Sequence, residues 1–414
     1  MVVLNTILLI LLLLIVINFA FEQVLGLLNY KSGRGEVPSI LSDVYDSDRY
    51  AKYLRYKQVS FKFGTLVSLL SVGVTLFLVL KGFVLLDDYV SQMADNQIVR
   101  GLMFFGILGF FADLISTPFS LYSTFVIEQQ YGFNKTTPKT FLFDKVKTYA
   151  IAIIIGGGLL SLLIWVYQLS GNNFWWMAWI LISGFSIFMA MFYSSLIVPI
   201  FNKQKPLEPG ELRDRLNALA LKTGFILKDI FIIDGSKRST RANAYFAGLG
   251  KKRRIVLYDN LLKDQTIDQI EAVLAHEIGH YKLKHIQKSM VWGILQTGIM
   301  LFVFSLIVNG PYIYHALGAS NQNFHLGLVV FIILYSPVSM LLSIGMNALS
   351  RKFEFQADAF SSRFVDGENL ISSLKNLASA NMSSLTPNAL YVWVYYSHPP
   401  LLERIMHLKK QKNI

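Results

Sequence analysis

Long apolar runs separated by short polar stretches dominate the chain. Seven runs are long enough to cross a bilayer, at roughly 2–28, 61–86, 99–127, 146–170, 174–200, 289–313 and 326–349, since a span needs about 20 apolar residues. The second and third carry Lys81 and Asp113 and are less clean. The first lacks a basic leader and a small-residue cleavage site, so it reads as a retained helix and not a secretory signal. The one sizeable polar insertion is 202–288. Inside it, 212–223 has the spacing of an amphipathic helix and 230–234 reads as a buried strand. Residues 243–249 and 254–258 read as two strands joined by Gly250-Lys251-Lys252, a hairpin signal. Thr266 reads as an N-cap with Gln269 at the capping-box position, opening a helix that runs through His280.

Composition supports a membrane protein. The chain is 53% hydrophobic and 15% charged, against about 25% charged in soluble domains. The net charge of +12 raises nucleic-acid binding as a class, but the placement of the cations excludes it. Lys31, Arg34, Arg49, Lys52, Arg55 and Lys57 lie between the first two spans, and Lys135, Lys139, Lys145 and Lys147 between the third and fourth. The 87–98 connection carries Asp87, Asp88 and Asp95 without a cation, and the 310–325 connection carries no charge. This alternation is the positive-inside pattern. It places the N-terminus outside, and the polar insertion and C-terminus in the cytoplasm. There is no cysteine, which excludes disulfides, thiolate metal sites and cysteine nucleophiles together. Any metal must be held by His, Asp or Glu.

One constellation carries chemistry. His276 and His280 are four residues apart in His276-Glu277-Ile278-Gly279-His280, so on a helix they face the same way, about 40° apart. Two such imidazoles can share a metal ion, with Glu277 suited to act as general base on water there. Two surface histidines beside a chance glutamate is the alternative. His285 lies about 180° round the same helix and reads as a solvated or interfacial histidine. A catalytic zinc needs a third protein ligand. Asn347, Arg351, Glu354 and Asp358 fall at i, i+4, i+7 and i+11, a single polar stripe that begins at the end of an apolar span. Glu354 is the candidate third ligand. Asp358 is placed to orient a ligand histidine, and Arg351 to neutralise a carboxylate or hold a substrate group. A solvated helix leaving the membrane is the alternative. His398, before Pro399 and Pro400, is a candidate oxyanion donor, although a histidine there also serves structure alone. Asn243, Ala244 and Tyr245 open a strand to which a peptide substrate could add if it is a sheet edge; an ordinary hairpin strand is the alternative.

These residues resemble those of the type I CAAX prenyl endopeptidases, the a-factor-converting membrane zinc proteases. The resemblance runs almost end to end. It includes 118–128 with Tyr131-Gly132-Phe133-Asn134, Asn243-Ala244-Tyr245-Phe246, the 276–280 motif, 347–358 and His398-Pro399-Pro400. It implies a seven-helix barrel around a water-filled chamber, capped by the protease domain. It implies zinc held by His276, His280 and Glu354 with Glu277 as base, and Asn347 and His398 as contacts for the substrate backbone or oxyanion. In that family a farnesylated C-terminal Cys-a-a-X peptide loses its last three residues, and some members cut a second, upstream site.

The expectation is therefore a mainly α polytopic membrane protein with seven transmembrane helices and a small α+β zinc metalloprotease domain. Residues 1–201 form a five-span membrane region, 202–288 the protease domain, 289–350 the last two spans, and 351–414 a cytoplasmic segment completing the site. The expected activity is zinc-dependent endopeptidase action on prenylated CAAX proteins or similar membrane-associated peptides. One zinc ion per chain, a monomeric state, the lipid bilayer as partner and no nucleic acid complete it. The membrane is the endoplasmic reticulum in a eukaryote or the inner membrane in a bacterium. A membrane quality-control protease of the heat-shock type and a non-catalytic metal-binding membrane protein are the other readings.

Overall fold

The computed structural model describes residues 2–225, 230–248 and 254–412. Seven helices are long and apolar enough to cross a membrane: Thr6–Ser32, Ser47–Met93, Gln97–Tyr131, Pro138–Ser170, Phe174–Phe201, His285–Val308 and Phe324–Ser361. They are the seven predicted spans, but several run past the bilayer. The second starts at Ser47, capped by the Asp46 side chain on the Arg49 amide, although its apolar run starts near 61. The seventh continues to Ser361 through the whole polar stripe. Nothing in either extension breaks a helix, so each continues into water until a capping residue or a turn ends it.

The spans bury little of their apolar surface against one another. In no span is more than 22% of the most apolar stretch buried within the chain. The chain exposes 21585 Å², where a compact globular protein of its mass exposes about 16,000 Å². Two apolar cores close the end remote from the polar insertion. One gathers Leu11, Val79, Phe83, Phe104, Tyr314 and Leu326; the other gathers Ile164, Phe174, Leu301, Phe304 and Phe331. The 310–325 connection contributes a short helix, Pro311–Leu317, which its lack of charge did not announce.

The insertion folds as a four-stranded sheet and flanking helices. The strands are β1 (Gln204–Pro206), β2 (Ile230–Ile233), β3 (Ala244–Ala247) and β4 (Arg254–Tyr258), in the order β1-β2-β4-β3. β3 and β4 are antiparallel, with Tyr245 opposite Val256, as the hairpin reading requires; its turn at 250–252 lies outside the described residues. β2 runs parallel to β4. β1, too short to show a pattern, was not predicted. β3 is an edge strand, half-buried along its length. The amphipathic helix Glu211–Lys222 buries Leu216 and Leu219 in the same core as Ile255 and Leu257 of β4.

After the seventh span come three more helices, Gly367–Ala380, Ala389–Tyr395 and Leu401–Lys412. Leu370, Ile371, Ile405 and Leu408 join Leu41 and Val44, from between the first two spans, around Ala272 and Val273. The helix bearing the histidine pair is thus clasped by the C-terminal segment and the first polar loop.

Candidate active site

That helix is Ile267–Lys282, and it opens with the full Thr266/Gln269 capping box. One face places Ile270, Leu274, Ala275 and Ile278 in the domain core. The other lies against the extension of the seventh span. Gly279 sets the approach: a Cβ there would stand 3.1 Å from Ala357 Cα and 3.2 Å from Phe360 Cβ. Because glycine has no side chain, the two helices come close enough for their polar residues to meet.

They meet as a donor cluster. His276 Nε2 lies 3.0 Å from His280 Nε2. Glu354 Oε1 is 3.3 Å from His280 Nε2, and Glu354 Oε2 is 3.5 Å from His276 Nε2. A tetrahedral ion with donors at about 2.0–2.1 Å needs donors about 3.3 Å apart. These three residues are a group able to hold a metal ion. Glu354 is buried, and its Oε2 makes no hydrogen bond. A buried carboxylate oxygen that makes no hydrogen bond, with the Arg404 guanidinium 3.4 Å away, fits a cation at this point.

Each imidazole is held from behind. His276 Nδ1 lies 2.9 Å from Asp358 Oδ1, so an N–H there donates to the carboxylate and leaves the Nε2 lone pair facing the cluster. Burial works to lower the His276 pKa, but Asp358 and Glu354 hold it up, to about 9. The carboxylates favour positive charge here, on imidazole or on a metal ion. His280 Nδ1 lies 3.1 Å from His285 Nδ1, and His285 Nε2 lies 3.0 Å from Gln356 Oε1. The consistent proton order has His280 donating to His285 and His285 donating to Gln356. His285 also stacks on Phe353 at 4.1 Å.

This corrects the reading of His285 as solvated or interfacial: it is 2% exposed. The predicted angle assumed an unbroken helix. The chain instead turns at Lys284, with φ 59° in the left-handed region, and a new helix starts at His285 and brings its ring back to His280. Arg404 was missed altogether. Its guanidinium grips Asp358 in two bonds, Nε to Oδ2 at 2.9 Å and Nη2 to Oδ1 at 2.6 Å, and its Nη1 stands 3.4 Å from Glu354 Oε2. It compensates the buried Asp358 and part of Glu354. The one available signal was its place one turn past Pro399-Pro400 on an otherwise soluble-looking helix.

The substrate side is less committed. Glu277 follows His276 and precedes His280 by three residues, and its side chain has no hydrogen bond to another described residue. Burial raises its pKa, against the lowering effect of His276 and His280. His398 Nε2 is 3.3 Å from Glu354 Oε1, yet its side chain is 66% exposed; Ser397 Oγ lies 3.0 Å from its Nδ1. Asn347 donates from Nδ2 to the Val394 carbonyl at 2.7 Å, and Arg351 donates to the carbonyls of Val392 and Tyr396. Arg351 thus lies on backbone and not on a carboxylate. Together they fix the segment that carries His398. Asn243 is exposed at the head of β3, its Oδ1 2.9 Å from the Ala244 amide. Phe246 of β3 stacks on Tyr281 of the histidine helix at 5.5 Å.

Known proteins agree with this architecture. Residues 26–203 match the family model of the CAAX prenyl protease N-terminal region with five membrane helices, and 206–412 match that of peptidase family M48. The chain is 37% identical to a CAAX prenyl protease 1 homolog of Arabidopsis thaliana, covering 75% of this chain and 74% of the relative. It is 31% identical to CAAX prenyl protease 1 of Saccharomyces cerevisiae, covering 96% and 94%. A crystal structure of S. mikatae Ste24p superposes with a TM-score of 0.91 at 31% identity, covering 97% of this chain and 98% of that one. With a donor cluster beside a seven-span membrane region and relatives aligned over nearly its whole length, the chain belongs to the CAAX prenyl protease 1 group of peptidase family M48 and is a multi-pass membrane metalloprotease.

Proposed function

We propose that the chain is a zinc endopeptidase that hydrolyses peptide bonds near the C-terminus of prenylated Cys-a-a-X proteins and similar membrane-associated peptides. The names of its relatives supply the substrate class. The observation that supports the chemistry is the convergence of two Nε2 atoms, 3.0 Å apart, and the Glu354 carboxylate beside Glu277, which makes no hydrogen bond to another described residue. In this reading His276, His280 and Glu354 hold one zinc ion per chain, which when bound polarises the scissile carbonyl and acidifies water. Glu277 takes the proton of the attacking water and returns it to the leaving amine. Its raised pKa suits both halves of that task. His398 donates from Nε2 to the developing oxyanion, with Ser397 on Nδ1 keeping the proton there. Asp358 orients His276. Asn347 and Arg351 hold the His398 segment, and the uncommitted Asn347 oxygen is available to a substrate amide.

The substrate backbone pairs with the free edge of β3 in this reading, its register set by Asn243, Ala244 and Tyr245. A pocket of about 420 Å³ runs beside that edge, lined by Met189, Tyr193, Tyr245, Phe246 and Ile286, and gives apolar side chains a place. The division at 201, 288 and 350 separates membrane wall, catalytic insertion, last spans and closing segment. Every donor comes from one chain, which supports function as a monomer. The charge alternation supports a cytoplasmic site, at the endoplasmic reticulum in a eukaryote or the inner membrane in a bacterium.

The test is purified wild type against Glu277→Gln, with bound zinc assayed and a farnesylated C-terminal peptide and its unprenylated twin supplied. Zinc retained by both proteins, with cleavage lower by about 10²–10⁴-fold in the variant, is expected. Equal cleavage by the variant overturns the role of Glu277. Equal cleavage of the twins by wild type overturns prenyl recognition.

A further inference from the structure

One large cavity lies outside the donor cluster. It is a slot of about 1200 Å³ between the third and fourth spans. At one end the helices touch, and a side chain on Gly101 would collide with Ile164. Along the slot Gly106 and Gly109 of the third span and Gly156 and Gly158 of the fourth have nothing within 4 Å of where a Cβ would stand. Small residues in membrane spans ordinarily let helices close on one another. Here they bound a gap.

Two further observations mark the gap as built. Both helices leave α geometry beside it, in the π-helical turns Ser123–Glu128 and Ala152–Gly157, and both turns contribute lining residues. Such turns are rare and concentrate at functional sites. At the other end Lys145 Nζ donates to both carboxylate oxygens of Asp113, at 2.7 and 2.6 Å, and the Tyr149 hydroxyl donates to Asp113 Oδ2 at 2.6 Å. Asp144, also on the lining, is held in two bonds by Arg238, at 2.7 and 2.8 Å. Every charge on the slot is therefore paired, and the rest of its wall is mostly apolar.

These features select the occupant. The slot lies between membrane-spanning helices, so an apolar ligand can reach it from the bilayer. It offers no unpaired cation to a phosphate, which disfavours a phospholipid headgroup. Its volume leaves ample room for a farnesyl chain against the mostly apolar wall. The segment bearing Arg238 continues into β3, so the polar end is tied to the strand proposed to bind the peptide.

We propose that this slot binds the isoprenoid chain of the substrate, with the peptide extending from its polar end toward the β3 edge. The assignment rests on the prenylated-substrate reading above. It makes the third and fourth spans the determinant of lipid specificity, separate from the residues that perform hydrolysis.

The experiment uses the full zinc-loaded chain in lipid nanodiscs. Gly106→Leu, Gly109→Leu and Gly156→Leu each project a side chain into the slot from a position where a Cβ meets nothing within 4 Å. The readout is the ratio of kcat/KM for a farnesylated peptide to that for its unprenylated twin. Each filling is expected to lower this ratio roughly tenfold, the value of a few lost methylene contacts. A farnesylated peptide with a photoreactive group on its isoprenoid tail is expected to label segments 102–113 or 141–161. A ratio that survives all three fillings, or labelling confined to other spans, overturns the slot while leaving prenyl recognition intact. Labelling that photoreactive phosphatidylcholine reproduces and the prenylated peptide does not compete overturns it in favour of a resident phospholipid. A wild-type ratio near one overturns the prenylated-substrate reading itself.

Discussion

The two sides of the donor cluster are built differently. On the donor side, His276, Glu354, Asp358 and Arg404 are all buried, and each imidazole is held from behind, His276 by Asp358 and His280 by His285. On the substrate side, Glu277 is without a hydrogen bond, His398 is 66% exposed and Asn243 stands in the open. A metal holder gains from rigidity, because donors already in place need no reordering when the ion binds. A peptide site needs groups that water or substrate can reach. The difference teaches that the cluster is preorganised for the ion and left open for the chain to be cut.

The strongest break of this contrast is Gly279→Leu. The new side chain would force apart the helices that bring the histidines to Glu354, with Ala357 and Phe360 in its way. Metal content should fall toward zero and peptide cleavage with it, alongside a destabilisation of about 1–3 kcal/mol; plasma emission on the purified variant checks this. Asp358→Asn keeps the shape but weakens the hold on His276. It should cost about 10- to 100-fold in zinc affinity, measured by competition with a chelator.

The same hold predicts a pH dependence. His276 is held up to about 9, and a metal ligand must be deprotonated. Below that pH, binding the ion must expel a proton. Zinc affinity of the metal-free protein should therefore rise by about tenfold per pH unit from 7 toward 9 and then level off. In Asp358→Asn the levelling should come at lower pH. A flat profile in wild type would show that His276 is already neutral.

His285→Ala tests the other imidazole. It removes the acceptor of His280 and should cost roughly tenfold in zinc affinity, whereas a solvated histidine would cost nothing. The smallest effect belongs to the open side. Asn243→Ala should raise KM about threefold, with kcat and zinc content close to wild type, since one register contact among several is lost. A fall in bound zinc in that variant would erase the distinction between the two sides.

Local pattern made part of this protein legible. Apolar length marks a membrane span because unsatisfied backbone in lipid admits little but a helix, so all seven spans could be read directly, as could the strand Ala244–Ala247 and its antiparallel partner, though not its place at the sheet edge. The His276–His280 pair and the stripe from Asn347 to Asp358 are helical spacings, and such spacings survive folding as long as the helix does. Tertiary structure decided the rest. His285 sits beside His280 only because the helix breaks at Lys284 with φ 59°, which no periodicity registers. Arg404 reaches Asp358 across 46 residues of sequence, through a clasp of C-terminal helices on the first polar loop. The slot between the third and fourth spans exists because glycines that elsewhere draw helices together here face each other across a gap held at both ends. Periodicity belongs to one element at a time. The distance between two elements depends on every contact that holds them, and that distance turns three separated residues into a group able to hold a metal ion.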